Sequence, residues 1–161
     1  MKTNVTVTDI THDELVDLFS GALYKSQYLT AGYEESAEHK PFNCLEDILA
    51  DILLNGGRVM FTDHYAEDGE VYGNLPCKVE EGEDGTLTTA YYVTLADVIA
   101  GLERAANATF TISGRTDERW VDRQIDSAWR SFNAFTHDER EWDATTADIL
   151  MQIILFDEIV Y

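Results

Sequence analysis

Apolar residues recur along this chain mainly at helical spacing, and one long turn-rich stretch interrupts the pattern. Val5 and Val7 alternate with threonine. Ile10-Thr11-His12-Asp13-Glu14 then opens a helix, with Thr11 and Glu14 spaced as a capping box and Ile10 and Leu15 as a hydrophobic staple. Its apolar stripe is Leu15, Leu18, Phe19, Ala22 and Leu23, with Asp13, Glu14 and Asp17 off the stripe. Residues 25–40 read as a polar loop containing Tyr28 and Tyr33. A second helix is expected from about Asn43, boxed by Glu46, with Leu45, Ile48, Leu49, Ile52 and Leu53 on one face. Asn55-Gly56-Gly57 ends it, since glycine takes the left-handed conformation of a helix cap at little cost.

The run from Arg58 to Tyr65 is rich in strand formers. Two Asp-Gly pairs follow, Asp68-Gly69 and Asp84-Gly85, and each predicts a hairpin. The first hairpin would end near Gly73, and the last strand would run from Leu87 to Val93. Thr94 and Asp97 cap a third helix with Leu95, Val98, Ile99 and Leu102 inward. Phe110-Thr111-Ile112 reads as a short strand. A fourth helix is expected from Thr116, with Val121, Ile125, Ala128, Phe132 and Phe135 on one side. A fifth runs from Ala144 to about Leu155, ahead of the apolar tail Ile159-Val160-Tyr161. These elements predict one α+β domain over residues 1–161: about five helices packed on a small antiparallel, hairpin-built sheet.

Charge changes this picture. The 161 residues carry 31 Asp and Glu against 11 Lys and Arg, a formal net charge of −20. With 45% hydrophobic residues the chain still has the apolar content of a folding domain, so the acidity is not a disorder signal. The charge is unevenly placed. Residues 1–55 net −7, and residues 63–84 net −7 again within 22 positions, whereas residues 85–115 balance at zero. Such a surface repels nucleic-acid backbones and anionic membranes, which excludes direct binding to either. The expected partner is a basic nucleic-acid-binding protein. Its candidate contact residues are Asp13, Glu14, Asp17, Glu34, Glu35, Glu46, Asp47, Asp51, Asp63, Glu67, Asp68, Glu70, Glu80, Glu81, Glu83 and Asp84. Carboxylates four apart on a helix (Asp13 and Asp17, Asp47 and Asp51) stand roughly 5–6 Å apart at Cβ. Phosphates of one DNA strand advance about 3.4 Å per nucleotide, so a helical row beside an acidic hairpin approximates a phosphate track.

In size, charge and the placement of its acidic helices and hairpin, the chain resembles the small acidic proteins of phages and mobile elements that inhibit restriction or CRISPR systems by mimicking DNA. Its last residues, Glu158-Ile159-Val160-Tyr161, also look like the end of some antirestriction proteins of the ArdA type. The resemblance implies a non-enzymatic inhibitor. Two alternatives use the same electrostatics: an immunity or antitoxin-like protein that neutralises a basic toxin, and a domain adapted to high salt.

Chemical motifs are sparse. The sequence has no GxSxG, HExxH, glycine-rich phosphate loop or EF-hand spacing, so no enzymatic activity and no cofactor are expected. Asp63, His64, Glu67, Asp68 and Glu70 come nearest to a metal set, but turn carboxylates of this kind are ordinarily solvated. Cys44 and Cys77, 33 residues apart without CxxC spacing, read as reduced thiols. With no signal-like or membrane-length apolar run, the expected location is the cytoplasm. Trp120, Trp129, Trp142, Phe132 and Phe135 read as core rather than as a partner anchor. Tyr24, Tyr28 and Tyr33 are the better interface aromatics. The apolar tail is expected to pack across a homodimer or back on its own core.

Overall fold

The computed structural model describes residues 9–107, 111–112 and 144–161. The Val5–Val7 alternation, the helix expected from Thr116 and the tryptophan-bearing segment lie outside the described residues. Within them the fold is mixed α/β, with four α-helices and a four-stranded antiparallel sheet.

Helix α1 (His12–Lys25) starts on the expected box: Glu14 N–H donates to Thr11 Oγ1 at 3.2 Å, and Thr11 N–H donates to Glu14 Oε1 at 2.9 Å. Strand β1 (Leu29–Gly32) follows within the stretch read as loop. Helix α2 (Leu45–Leu54) begins later than expected. Its N-cap is Cys44, with no side-chain cap bond, so the Asn43–Glu46 box does not form. Its end is a Schellman motif: Gly57 N–H bonds the Ile52 carbonyl, Gly56 N–H bonds the Leu53 carbonyl, and Gly56 has φ +87.

Strand β2 (Arg58–Asp63) leads into a loop with one 3₁₀ turn, Glu67–Gly69. Asp68-Gly69 is therefore a turn and not a hairpin: among the described residues the segment beyond it pairs with no strand, and β2 pairs with β1 and β4. Strands β3 (Cys77–Glu81) and β4 (Leu87–Thr94) form the hairpin predicted at Asp84-Gly85. Helix α3 (Leu95–Ala106) follows directly, capped reciprocally by Thr94 and Asp97. Strand β5 (Thr111–Ile112) pairs in parallel with β6 (Glu158–Ile159), which comes just after helix α4 (Ala144–Phe156).

The sheet order is β1-β2-β4-β3, all antiparallel. Side chains alternate across a sheet, so Val59, Phe61 and Asp63 of β2 share one face with Thr89, Tyr91 and Val93 of β4. All six are fully buried. Phe19 of α1 meets Phe61 at 5.4 Å between ring centroids, and Phe156 of α4 meets Tyr91 at 5.4 Å. Helix α4 is the centre of the molecule: ten of its thirteen residues are buried, and it packs against both α1 and α3. Its apolar surface runs all round, as a core helix requires. At Gly101 the backbones of α3 and α4 come so close that a methyl group there would stand 2.4 Å from Ile154 Cγ1 and 2.7 Å from Ile154 Cα. Arg104 ties the same pair of helices, donating to the Ile153 carbonyl at 3.0 Å and pairing with Asp157 at 2.8 Å.

Candidate functional site: an acidic hairpin on a tyrosine-packed base

The strand pattern that builds the β3–β4 hairpin also carries its carboxylates outward. Residues 78–86 are all exposed, so Glu80, Glu81, Glu83 and Asp84 face solvent together with Lys78. The turn is held from within: Gly82 N–H donates to the Thr86 carbonyl at 2.8 Å, and Asp84 Oδ1 accepts Thr86 N–H at 3.0 Å. Hydrogen bonds from Thr86 keep the Asp84 carboxyl below its usual range, because they favour the charged form. The 3₁₀ turn adds exposed Asp68 and Glu70 beside the face of the hairpin that carries Val79 and Glu81, while Lys78 and Glu80 stand on the other face. A methyl group on Gly69, whose φ is +71, would lie 2.8 Å from Val79 Cγ1 and 3.4 Å from Leu87 Cδ1. Glu70 is fixed further by the hydroxyl of Tyr72, which donates to its Oε2 at 2.5 Å.

On the two acidic helices the sequence expectation needs correction. Glu14 is buried, because its carboxylate closes the α1 capping box. Asp51 is buried as well: it lies on the apolar side of α2 and accepts the Lys40 N–H at 2.8 Å, clamping the preceding loop. Asp47 is half-buried and paired with His12 at 2.8 Å, which joins α2 to α1. The Asp47–Asp51 row is thus spent on the fold rather than on a phosphate-like track. Asp13, Asp17 and Glu35 are exposed; Glu46 is half-buried, as is Glu34, which pairs with Arg58 at 2.6 Å. The structure does not describe the Glu67 side chain.

Asp63 is the third correction. It is fully buried at the end of β2, where its Oδ1 accepts Tyr65 N–H at 2.9 Å and its Oδ2 accepts the Tyr161 hydroxyl at 2.8 Å. Burial pushes its carboxyl up, and these bonds only partly oppose that. His64 points to the opposite face and meets Thr30 Oγ1 at 2.7 Å. Asp63 and His64, the nearest approach to a metal set in the sequence, therefore lie on opposite sides of the sheet. Among the described residues, no three His, Cys, Asp or Glu side chains converge.

Asp63 belongs to a cluster that the sequence reading missed. Tyr28, expected at an interface, is buried: it donates to Asp148 Oδ1 at 2.7 Å and stacks near Tyr161 at 4.4 Å between centroids. Ser26 donates to the same Asp148 oxygen. Phe156 meets Tyr28, Tyr72, Tyr91 and Tyr161 at 5.4–6.4 Å. Gln152, fully buried in α4, acts as a surrogate strand. Its Oε1 accepts Val160 N–H at 2.9 Å and Tyr161 N–H at 2.8 Å, while its Nε2 donates to the Tyr161 carbonyl at 3.1 Å and to Asp148 at 3.2 Å. The apolar tail thus packs back on its own core. The cluster supports the loop behind the hairpin, since Tyr72 N–H donates to the Tyr91 hydroxyl and Thr89 Oγ1 to the Glu70 carbonyl. Of the tyrosines named as interface aromatics, Tyr24 is exposed at 88% and Tyr33 is half-buried.

A cleft of about 250 Å³ beside Asn74, Leu75, Asp97 and Arg104 has its guanidinium already committed to Asp157 and Ile153. No helix among the described residues is long and apolar enough to cross a membrane. No family model, curated protein or solved structure matches the chain.

Proposed function

We propose that this protein is a non-enzymatic acidic inhibitor that acts in the bacterial cytoplasm. Its acidic face would occupy the nucleic-acid groove of a defence enzyme of the restriction or CRISPR kind, as phage and mobile-element mimics do. One observation carries the reading: Asp68, Glu70, Glu80, Glu81, Glu83 and Asp84 are gathered, exposed, on one hairpin and its adjoining turn, with Lys78 the only base among them. The burial of Glu14, Asp51 and Asp63 moves the weight of the proposal from the helices to this hairpin. A rigid platform favours it, because carboxylates fixed by a sheet and by Tyr72 lose little freedom on binding. Complementary potentials of this kind speed encounter and discriminate between partners.

The test is capture from nuclease-treated bacterial lysate on the immobilised protein, eluted with rising salt. Release of a nucleic-acid enzyme at moderate salt is the expected result, since screening weakens contacts between exposed charges. Release of a small basic toxin instead would favour the immunity reading, and an empty elution would overturn both.

A further inference from the structure

Strand β3 is an edge, and its hydrogen-bond phase can be read from the bonds at its two ends. Gly82 N–H donates to the Thr86 carbonyl, and Tyr92 N–H donates to the Pro76 carbonyl. In an antiparallel ladder bonded and non-bonded pairs alternate, so Lys78 and Glu80 exchange bonds with β4, between the single bonds that Pro76 accepts and Gly82 donates at the two ends. Cys77, Val79 and Glu81 therefore turn their N–H and C=O groups outward. Among the described residues no backbone group bonds them. Lys78, Val79, Glu80 and Glu81 are all exposed, Val79 at 43%. An edge of this kind is a template for another strand unless its side chains forbid pairing.

Among the antiparallel registers that pair most of the edge, the side chains favour one. Outward groups can pair only with outward groups, which leaves antiparallel registers that match 77, 79 and 81 among themselves. Centred on Val79, the pairing places Lys78 of each copy opposite Glu80 of the other, Val79 opposite Val79, and Cys77 opposite Glu81. Slipping two residues one way puts Lys78 against Lys78, and the other way Glu80 against Glu80. Like charges directly opposite destabilise a pair, and unlike charges support it. The pattern is complementary to itself.

We infer that β3 pairs with β3 of a second copy about a two-fold axis at Val79, joining two sheets into one of eight strands. The junction would add about six backbone hydrogen bonds across the axis. It closes the β3 edge of both copies, as a two-fold interface does. Glu83, Asp84, Asp68 and Glu70 lie beyond the paired stretch. This dimer does not depend on the inhibitor reading, and its salt response has the opposite sign. Each copy carries a formal net charge of −20, so long-range repulsion opposes association until salt screens it. The Debye length falls from about 10 Å at 0.1 M to about 3 Å at 1 M. Dimerisation strengthens with salt, whereas binding to a basic partner weakens.

The experiment is sedimentation equilibrium of the full chain at high micromolar concentration, from about 0.1 M to about 1 M salt. The wild-type mass is expected to move from 18.2 kDa towards twice that value as salt rises. Val79→Pro removes an outward N–H and leaves the β3–β4 ladder in place, so a chain that keeps its circular dichroism spectrum should stay at 18.2 kDa throughout. Lys78→Glu and Glu80→Lys, taken singly, should each weaken the dimer at least tenfold, and the double swap should restore it. The swap series decides the matter even where the proline variant fails to fold. A wild-type chain that stays monomeric at about 1 M salt overturns the inference. So does a dimer that both single charge variants leave unchanged.

Discussion

Replacing Gln152 with leucine removes the side chain that holds the tail, and the size of the effect follows from its four hydrogen bonds. Its oxygen takes the Val160 and Tyr161 N–H groups at 2.9 and 2.8 Å, and its nitrogen serves Asp148 and the Tyr161 carbonyl. Leaving a buried donor without a partner costs about 1–3 kcal/mol. Val160 and Tyr161 are only half-buried, so the low end applies, about 1 kcal/mol for each N–H and about the same for Asp148. The leucine recovers about 1 kcal/mol of apolar burial. The net loss is therefore about 2 kcal/mol, which in a chain of this length lowers Tm by about 4–8 °C. Calorimetry and urea unfolding at pH 7 measure it. A second variant isolates the cause. Gln152→Glu keeps both acceptors but sets a carboxylate against Asp148, raising the folded-state pKa of the pair. Its stability should therefore be intact at acid pH and be lost as pH rises. A leucine variant melting within about 2 °C of the wild type would refute the reasoning and assign the tail's docking to Ile159 and Tyr161 alone.

Gly101→Ala drives a methyl group into Ile154, including its Cα at 2.7 Å, and should cost about 1–3 kcal/mol by urea unfolding, the range for overpacking. Asp63 has a raised folded-state pKa, so its contribution to stability is present at low pH and is lost as pH rises above the ordinary carboxylate range. Asp63→Asn should flatten that part of the pH–stability curve, since an amide can keep the Tyr65 bond and donate to the Tyr161 hydroxyl. An unchanged curve would mean that Asp63 is charged in the fold at no cost. Burial raises Tyr91 to about 12 and also raises Tyr28 and Tyr161, while the hydrogen bond to Glu70 raises Tyr72. Their stabilising effect is complete below pH 10 and lost above it, so the share of tyrosinate absorbance that belongs to these four should rise in step with loss of the circular dichroism signal. A separate, earlier absorbance rise from all eight tyrosines would contradict the buried cluster.

What the sequence made legible was local. The Thr11–Glu14 and Thr94–Asp97 boxes, the Gly56-Gly57 stop and the Asp84-Gly85 hairpin each rest on bonds within a few residues, and each formed. Strand β1 was hidden because Leu29-Thr30-Ala31-Gly32 is short and polar-flanked; only its pairing with β2 makes it a strand. The same limit hid the site. Asp63 continues the two-residue alternation of Val59 and Phe61, a signal that it faces inward, but its carboxyl group read as surface charge. Asp51 sits between Ile48 and Ile52 on the apolar side of α2, a comparable signal. Glu14 was recognised as a cap, and a carboxylate used in a cap is not available to a partner. Nothing in the residues near Gln152 or Asp148 announces contacts with Tyr28 or Tyr161, because those partners are set by tertiary packing.

The central claim is that the hairpin acids compete with nucleic acid for a basic groove. Its most direct test is displacement of a labelled duplex from the captured enzyme by the wild-type chain and by a variant with Glu70, Glu81 and Glu83 changed to lysine. Full displacement by the wild type, weakening as salt rises, and a loss of tenfold or more in the folded variant, about 1.4 kcal/mol, is the predicted result. Equal competition by both chains, or no displacement by either, would contradict it.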